Sequence, residues 1–165
     1  MVSYETFYEA FFDKIEKDKD FFSYNNVSTE DALHIAKMRS QRYLKEALST
    51  ISLKCTPDKC GKNFTNFNDE QEVLDCDLTY TELDIVASVM YEKYLFREFS
   101  KLKAQANRFV IKEFNVFSPA NERNSFVEMY KTVKRENEVL IDNYLSLDHS
   151  TGDTLFIDYS TIKED

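Results

Sequence analysis

Glycine is almost missing from this chain: Gly61 and Gly152 are the only two in 165 residues. Glycine-rich phosphate loops, sharp nucleophile turns and left-handed hairpin corners all draw on glycine's freedom at positive φ. With two glycines, most glycine-dependent catalytic signatures are excluded at once. Tryptophan is absent, so the 15% aromatic share comes entirely from Phe and Tyr. Such side chains bury large areas and are enriched at interfaces. A basic excess is lacking as well. The net charge of −9 argues against sequence-independent binding to nucleic acid, which needs a basic footprint. It leaves open DNA passing nearby, because a wall that repels phosphate has no tendency to hold it. No apolar run reaches the length of a membrane span. Met1-Val2-Ser3-Tyr4-Glu5 opens directly into a charged amphipathic pattern, with no apolar signal core ahead of it. A soluble product made in the cytoplasm is expected. Three cysteines are an odd number, so a complete set of intrachain disulfides is impossible and reduced thiols are expected.

What is present is helical periodicity over a length that fits one ordinary domain. Tyr4, Phe7, Tyr8, Phe11, Phe12 and Ile15 recur at spacings of three and four, which predicts a first helix from about Ser3 to Lys17 with one aromatic face. Ser28 or Thr29 caps a second helix, with Glu30 and Asp31 in its first turn. Its stripe is Leu33, Ala36, Tyr43, Leu44, Ala47, Leu48 and Ile51. Lys54 to Phe67 breaks the pattern, and Cys55-Thr56-Pro57-Asp58-Lys59-Cys60-Gly61 is turn chemistry. Glu72-Val73-Leu74 is a candidate extended segment. Thr79 or Thr81 caps a third helix through Leu83, Val86, Val89, Met90, Tyr94, Leu95 and Phe99, ending near Lys103. Ala104 to Phe117 is an apolar, β-prone connector. Ser118 and Pro119 then start the longest helix, which carries Phe126, Met129, Tyr130, Val133, Leu140 and Tyr144 and ends near Ser146. The fold class is therefore mainly α, a bundle of about four helices, with residues 1–147 as the bundle and 148–165 as a C-terminal extension. Phe7, Phe11, Leu44, Leu48, Val86, Met90, Tyr130, Val133 and Leu140 are expected to share one core.

Candidate chemistry is thin. Cys55 and Cys60 with Cys76 and His34 or His149 make a loose zinc pattern, and two loop thiols beside one half-buried thiol is the preferred reading. Cys76 sits between Asp75 and Asp77, whose carboxylates suppress thiolate. His34 reads as a packing residue near its helix stripe. The acidic run Asp69, Glu70, Glu72, Asp75 and Asp77 lacks the glycine and the twelve-residue spacing of a calcium loop. No cofactor, metal site or catalytic set is expected, and no enzyme. The extension is more informative. Thr154 to Tyr159 alternates Leu155, Ile157 and Tyr159 against Thr154, Phe156 and Asp158, as a strand does. Such a strand either folds back on its own domain or adds to a partner's sheet edge, and the second reading is preferred. Leu155, Phe156, Ile157 and Tyr159 are then partner-binding, and the turn at Gly152 aims them away from the bundle.

Three stretches carry a resemblance. They are Asp77 to Ala87 leading through Met90 to Tyr94-Leu95, Lys112 to Asn121, and the following long helix with Glu136 and Tyr144. In this order they resemble head-tail connector proteins, also called adaptors or neck proteins, of tailed phages and prophages of Firmicutes. The resemblance covers roughly Asp77 to Leu147. It implies a structural protein of the virion neck, a homo-oligomeric and commonly dodecameric ring beneath the portal protein. Such a ring extends the DNA channel, and terminal extensions reach the portal or a tail-completion or neck protein. It implies DNA passing without specific binding and no membrane. Glu122, Glu128, Glu136 and Glu138 are the candidate channel-lining acids. The alternative reading is a small cytosolic helical protein-interaction or regulatory module.

Overall fold

The computed structural model describes residues 1–15, 19–108, 119–148 and 154–155, with side chains for all of these but 19–20, 102–108 and 119–123. In chain order the elements are β1 (Val2–Ser3), α1 (Tyr4–Lys14), α2 (Lys19–Phe22), α3 (Thr29–Lys54), α4 (Pro57–Cys60), β2 (Phe67–Asn68), β3 (Val73–Leu74), α5 (Tyr80–Arg108) and α6 (Pro119–Leu145). The architecture is the mainly α bundle that the periodicity predicts. Its four long helices are joined by a small antiparallel sheet of order β1-β3-β2. Val2 pairs with Leu74, and Phe67 with the same Leu74 from the other side.

The helix starts follow from local chemistry. Ser28 is the cap of α3, its side chain accepting a hydrogen bond from the Asp31 amide at 3.1 Å. Thr79, and not Thr81, caps α5. Thr79 Oγ1 accepts from the Glu82 amide at 3.3 Å while the Glu82 carboxylate accepts from the Thr79 amide at 2.6 Å. This is the reciprocal capping box of a Thr-x-x-Glu sequence. The first helix is shorter than its aromatic pattern, because Ser3 is its cap and Ile15 closes it. The scarcity of glycine shows in the turns. Gly61 ends α4 at φ +67°, the left-handed conformation that L side chains resist. The β2–β3 hairpin has no glycine, so Glu72 takes φ +50°, and Asn68 Oδ1 accepts from the Glu70 and Gln71 amides. An Asn side chain thereby replaces the backbone turn that glycine would have made.

α5 is the central helix, with α1, α3 and α6 packed on it and α1 also on α3. The core is aromatic where α1, α2, α3 and α5 meet. Phe11, Phe21 and Tyr43 surround Tyr94 at ring-centroid distances of 6.2, 5.5 and 6.1 Å, all tilted edge-on. Each such pair adds about 0.5–1.5 kcal/mol beyond the area it buries. Arg39 closes this cluster, its guanidinium 4.4 Å above the Phe21 ring and bonded to Tyr24 at 2.8 Å. The aromatic face of α1 is thus core: Tyr4, Phe7, Tyr8 and Phe11 are all buried.

Some sequence expectations are corrected. Phe7, Phe11, Leu44, Leu48, Val86 and Met90 are buried, and Tyr130 and Val133 pack against them half-buried. Leu140 is 42% exposed and Leu33 44% exposed, so neither belongs to the core. Both lie at the margin of an apolar stripe wider than the neighbouring helices cover. Cys55, the C-cap of α3, and Cys60, the last residue of α4, are not exposed loop thiols but buried members of the core. His34 is exposed on α3. Ala104 to Arg108 continues α5, and 109–117 lies outside the described residues.

Candidate functional site

The two groups of site residues read from the sequence lie on α6 and just after it. Pro119 begins α6, so the helix carrying all four acids is in place. Glu128, Glu136 and Glu138 are exposed; the Glu122 side chain lies outside the described residues. At 3.6 residues per turn, Glu136 and Glu138 stand roughly 80° to either side of Glu128 around the helix. Two of the three have cationic neighbours on the same helix, Glu128 with Lys131 at 2.8 Å and Glu138 with Lys134 at 4.0 Å. The outer surface of α6 is therefore of mixed charge, and its acids are spread over about half the circumference.

The tail begins against the bundle. Thr154 forms an antiparallel bridge with Leu147, and the Leu155 amide donates to the Ser146 carbonyl at 2.7 Å. The expectation that the turn at Gly152 aims the strand away from the helix is corrected to that extent: the first residues of the strand have an internal partner. The Leu155 side chain is 53% exposed, and that of Leu147 39%. Phe156, Ile157 and Tyr159 lie outside the described residues, as does His149.

Two buried polar clasps hold α6 on α5, and sequence periodicity gave no sign of either. Glu82 is 3% exposed, and its carboxylate accepts from Tyr144 Oη, from Lys62 Nζ at 2.9 Å, and from the Thr79 amide and hydroxyl. Burial pushes its pKa up, but these donors outweigh burial and hold it below the ordinary glutamate value. Burial and the Glu82 anion together push Tyr144 well above the usual tyrosine range. A carboxylate so fully donated to is a fastening and a poor proton acceptor. About two turns away along α6, buried Asn137 donates through Nδ2 to buried Glu92 at 3.0 Å and to the Ser88 carbonyl at 3.1 Å. The one legible hint was the capping-box spacing of Thr79 and Glu82. Nothing local marks Tyr144 as the partner of Glu82 across the seam, or Asn137 as the partner of Glu92.

Beside this seam an open cleft of about 560 Å³ runs between α3, α5 and α6, lined by Lys45, Glu46, Ser49, Thr50, Lys93, Phe96 and Tyr130. Phe96 and Tyr130 form an aromatic pair across α5 and α6, centroids 5.6 Å apart, with Phe96 51% exposed. At the margin of the packed face of α6, Met129 and Leu140 are 38% and 42% exposed and flank Val133, which packs half-buried on the core.

Burial pushes the Cys55 thiol up to about 11, with nearby Cys60 adding to it, and burial raises Cys76 as well. These thiols are therefore kept protonated. Among the described residues, no group of three or more His, Cys, Asp or Glu side chains is arranged to hold a metal ion. Among the same residues, no helix is long and apolar enough to cross a membrane. Comparison with protein-family models, with curated proteins and with solved structures finds no match to this chain.

Proposed function

We propose that this chain is a head-tail connector, a structural protein of the phage neck that assembles as a ring beneath the portal, extends the DNA channel and links head to tail. The observation that carries the reading is the meeting of two resembling stretches. Glu82, from the Asp77–Ala87 stretch, is bonded in the buried seam to Tyr144 of the long helix. Two of the three stretches behind the resemblance thus pack together as α5 against α6. Exposed apolar side chains support assembly. Met129 and Leu140 are uncovered at the margin of the packed face of α6, and Leu147 and Leu155 are uncovered at the root of the tail. Exposed apolar surface of that kind is a common mark of a protein interface. In this reading the C-terminal extension, with Leu155, Phe156, Ile157 and Tyr159, engages the portal, a tail-completion or neck protein, or a neighbouring subunit. Acids among Glu122, Glu128, Glu136 and Glu138 face the DNA and keep it from adhering. The ring is homo-oligomeric, commonly dodecameric in connectors of this kind, and its place is the virion.

The test is the protein content of purified particles. Mass spectrometry of tailed particles should find this chain in fixed ratio to the portal, and tailless filled heads should accumulate when its gene is deleted. Absence from particles, together with its recovery from the cytosol with a host protein, would favour the interaction-module reading instead.

A further inference from the structure

We propose that α6 is a latch-held arm: it opens off α5 as one unit, by breaking the Tyr144 and Asn137 clasps, while α1, α3 and α5 stay folded. Such an opening would serve a connector and an interaction module alike, because it turns a covered stripe of α5 into surface.

The two joints on the central helix differ in kind. Toward α1, α2 and α3, α5 presents Tyr94, enclosed by Phe11, Phe21 and Tyr43. The long helices on that side are buried along most of their length, α1 from Tyr4 to Phe11 and α3 from Ala36 to Ile51. Toward α6, α5 presents Glu82, Glu92 and Phe96, two carboxylates and a half-exposed ring. The buried side chains among the described residues of α6 are Asn137, Ile141 and Tyr144, all in its last third; Phe126 to Glu136 holds none. α3 meets α6 at an exposed ion pair, Lys54 with Asp142 at 3.0 Å, and faces it across the open cleft beside Tyr130.

A polar seam resists opening less than a dry one. A hydrogen bond inside a protein is exchanged for one to water when its partner leaves, so its net contribution is small. Glu82 keeps Lys62 and Thr79 when α6 departs, and water takes the place of Tyr144. Glu92, buried with its carboxylate on Asn137, regains the hydration that burial denies it. The apolar burial that α6 gives up is that of Ile141, Tyr144 and the half-buried Tyr130, Val133 and Leu145. The ring cluster around Tyr94 is left whole. Segments with few buried apolar contacts open at lower free energy than the core, as cooperative units that often match a supersecondary element. In this molecule α6 is that segment.

Hydrogen–deuterium exchange of the full-length chain, read by mass spectrometry in rising sub-denaturing urea, tests the arm. Peptides spanning 126–144 should exchange at least about tenfold faster in water than peptides spanning 40–51 of α3. They should share one urea dependence, shallower than that of α3, since a partial opening exposes less surface than unfolding. Asn137→Ala should speed exchange across the whole of 126–144 by at least about tenfold, the size of one hydrogen bond to a charged group. Phe11→Leu, in the ring cluster, should speed exchange in α3 and leave α6 unchanged, because it destabilises the closed and the α6-open molecule equally. Exchange in α6 as slow as in α3 and equally steep in urea would overturn the proposal. So would acceleration of both helices by Phe11→Leu, or an effect of Asn137→Ala confined to its own turn.

Discussion

Replacing Glu82 should be among the most damaging single changes in this protein outside its hydrophobic core. The carboxylate is 3% exposed and accepts from four donors on three parts of the chain: Tyr144, Lys62 and both polar groups of Thr79. Glu82→Ala removes the capping box, takes away the carboxylate to which the Tyr144 hydroxyl donates in the seam, and leaves Lys62, 24% exposed, without that carboxylate. Removing one partner of a buried ion pair costs about 3–5 kcal/mol, because the other group is left unpaired. Tyr144→Phe deletes one hydrogen bond to a charged group and should cost about 1.5–3 kcal/mol. Against the roughly 5–15 kcal/mol that stabilises a domain, the first change is a large share. Urea denaturation followed by circular dichroism measures both variants. The double variant Glu82→Ala/Tyr144→Phe should lose less than the sum of the two single changes, since the groups interact directly. The pH dependence has a definite sign. Glu82 is held below its ordinary value in the folded state, so its contribution is complete above the unfolded carboxylate pKa of about 4.3 and fades as pH falls through the lower, folded value. Glu82→Gln should flatten that part of the acid limb. A loss under about 0.5 kcal/mol for Glu82→Ala, the size of a surface change, would refute the assignment of Glu82 as the clasp.

Phe11→Ala should cost about 3–5 kcal/mol, as it empties the ring cluster around Tyr94, whereas Leu140→Ala should stay within about 0.5 kcal/mol; the same denaturation assay separates them. Cys55→Ser puts a hydroxyl where a 2%-exposed thiol now packs and should cost about 1–3 kcal/mol by thermal or urea unfolding. With iodoacetamide at pH 8, half-buried Cys76 should be modified well before Cys55, whose thiol is raised to about 11; mass spectrometry of the alkylated peptides checks the order.

The helical layout was readable from sequence because its causes are local. A one-sided aromatic stripe from Tyr4 to Ile15, a Ser at position 28 ahead of Glu30 and Asp31, and Pro119 at a first helical position each act within a turn of the residue that carries them. Stripe margins were less legible. Leu33 and Leu140 satisfy the period, but their exposure depends on how many neighbours the helix has, and that is a tertiary fact. The burial of Cys55 and Cys60 was missed for a related reason. Pro57 and Gly61 signal a turn correctly, yet they say nothing of the burial of Cys55 at the end of α3 or of Cys60 at the end of the four-residue α4. The seam was the least visible part. Glu82, Glu92 and Asn137 read as ordinary polar residues of amphipathic helices, and only the pairing of α5 with α6 makes them partners across 45 to 62 residues. The cleft is likewise a product of packing, since Lys45, Phe96 and Tyr130 come from three separate helices.

The most direct test of the connector account is whether this chain forms a complex with a portal protein of the same genome, and with what mass. Sedimentation velocity of the purified portal ring with an excess of full-length chain should show a single heavier species. Electron microscopy of that species should show a second ring stacked coaxially under the first, with one copy of this chain for each portal subunit. Portal and chain sedimenting independently at micromolar concentrations, each at its own mass, would contradict the account.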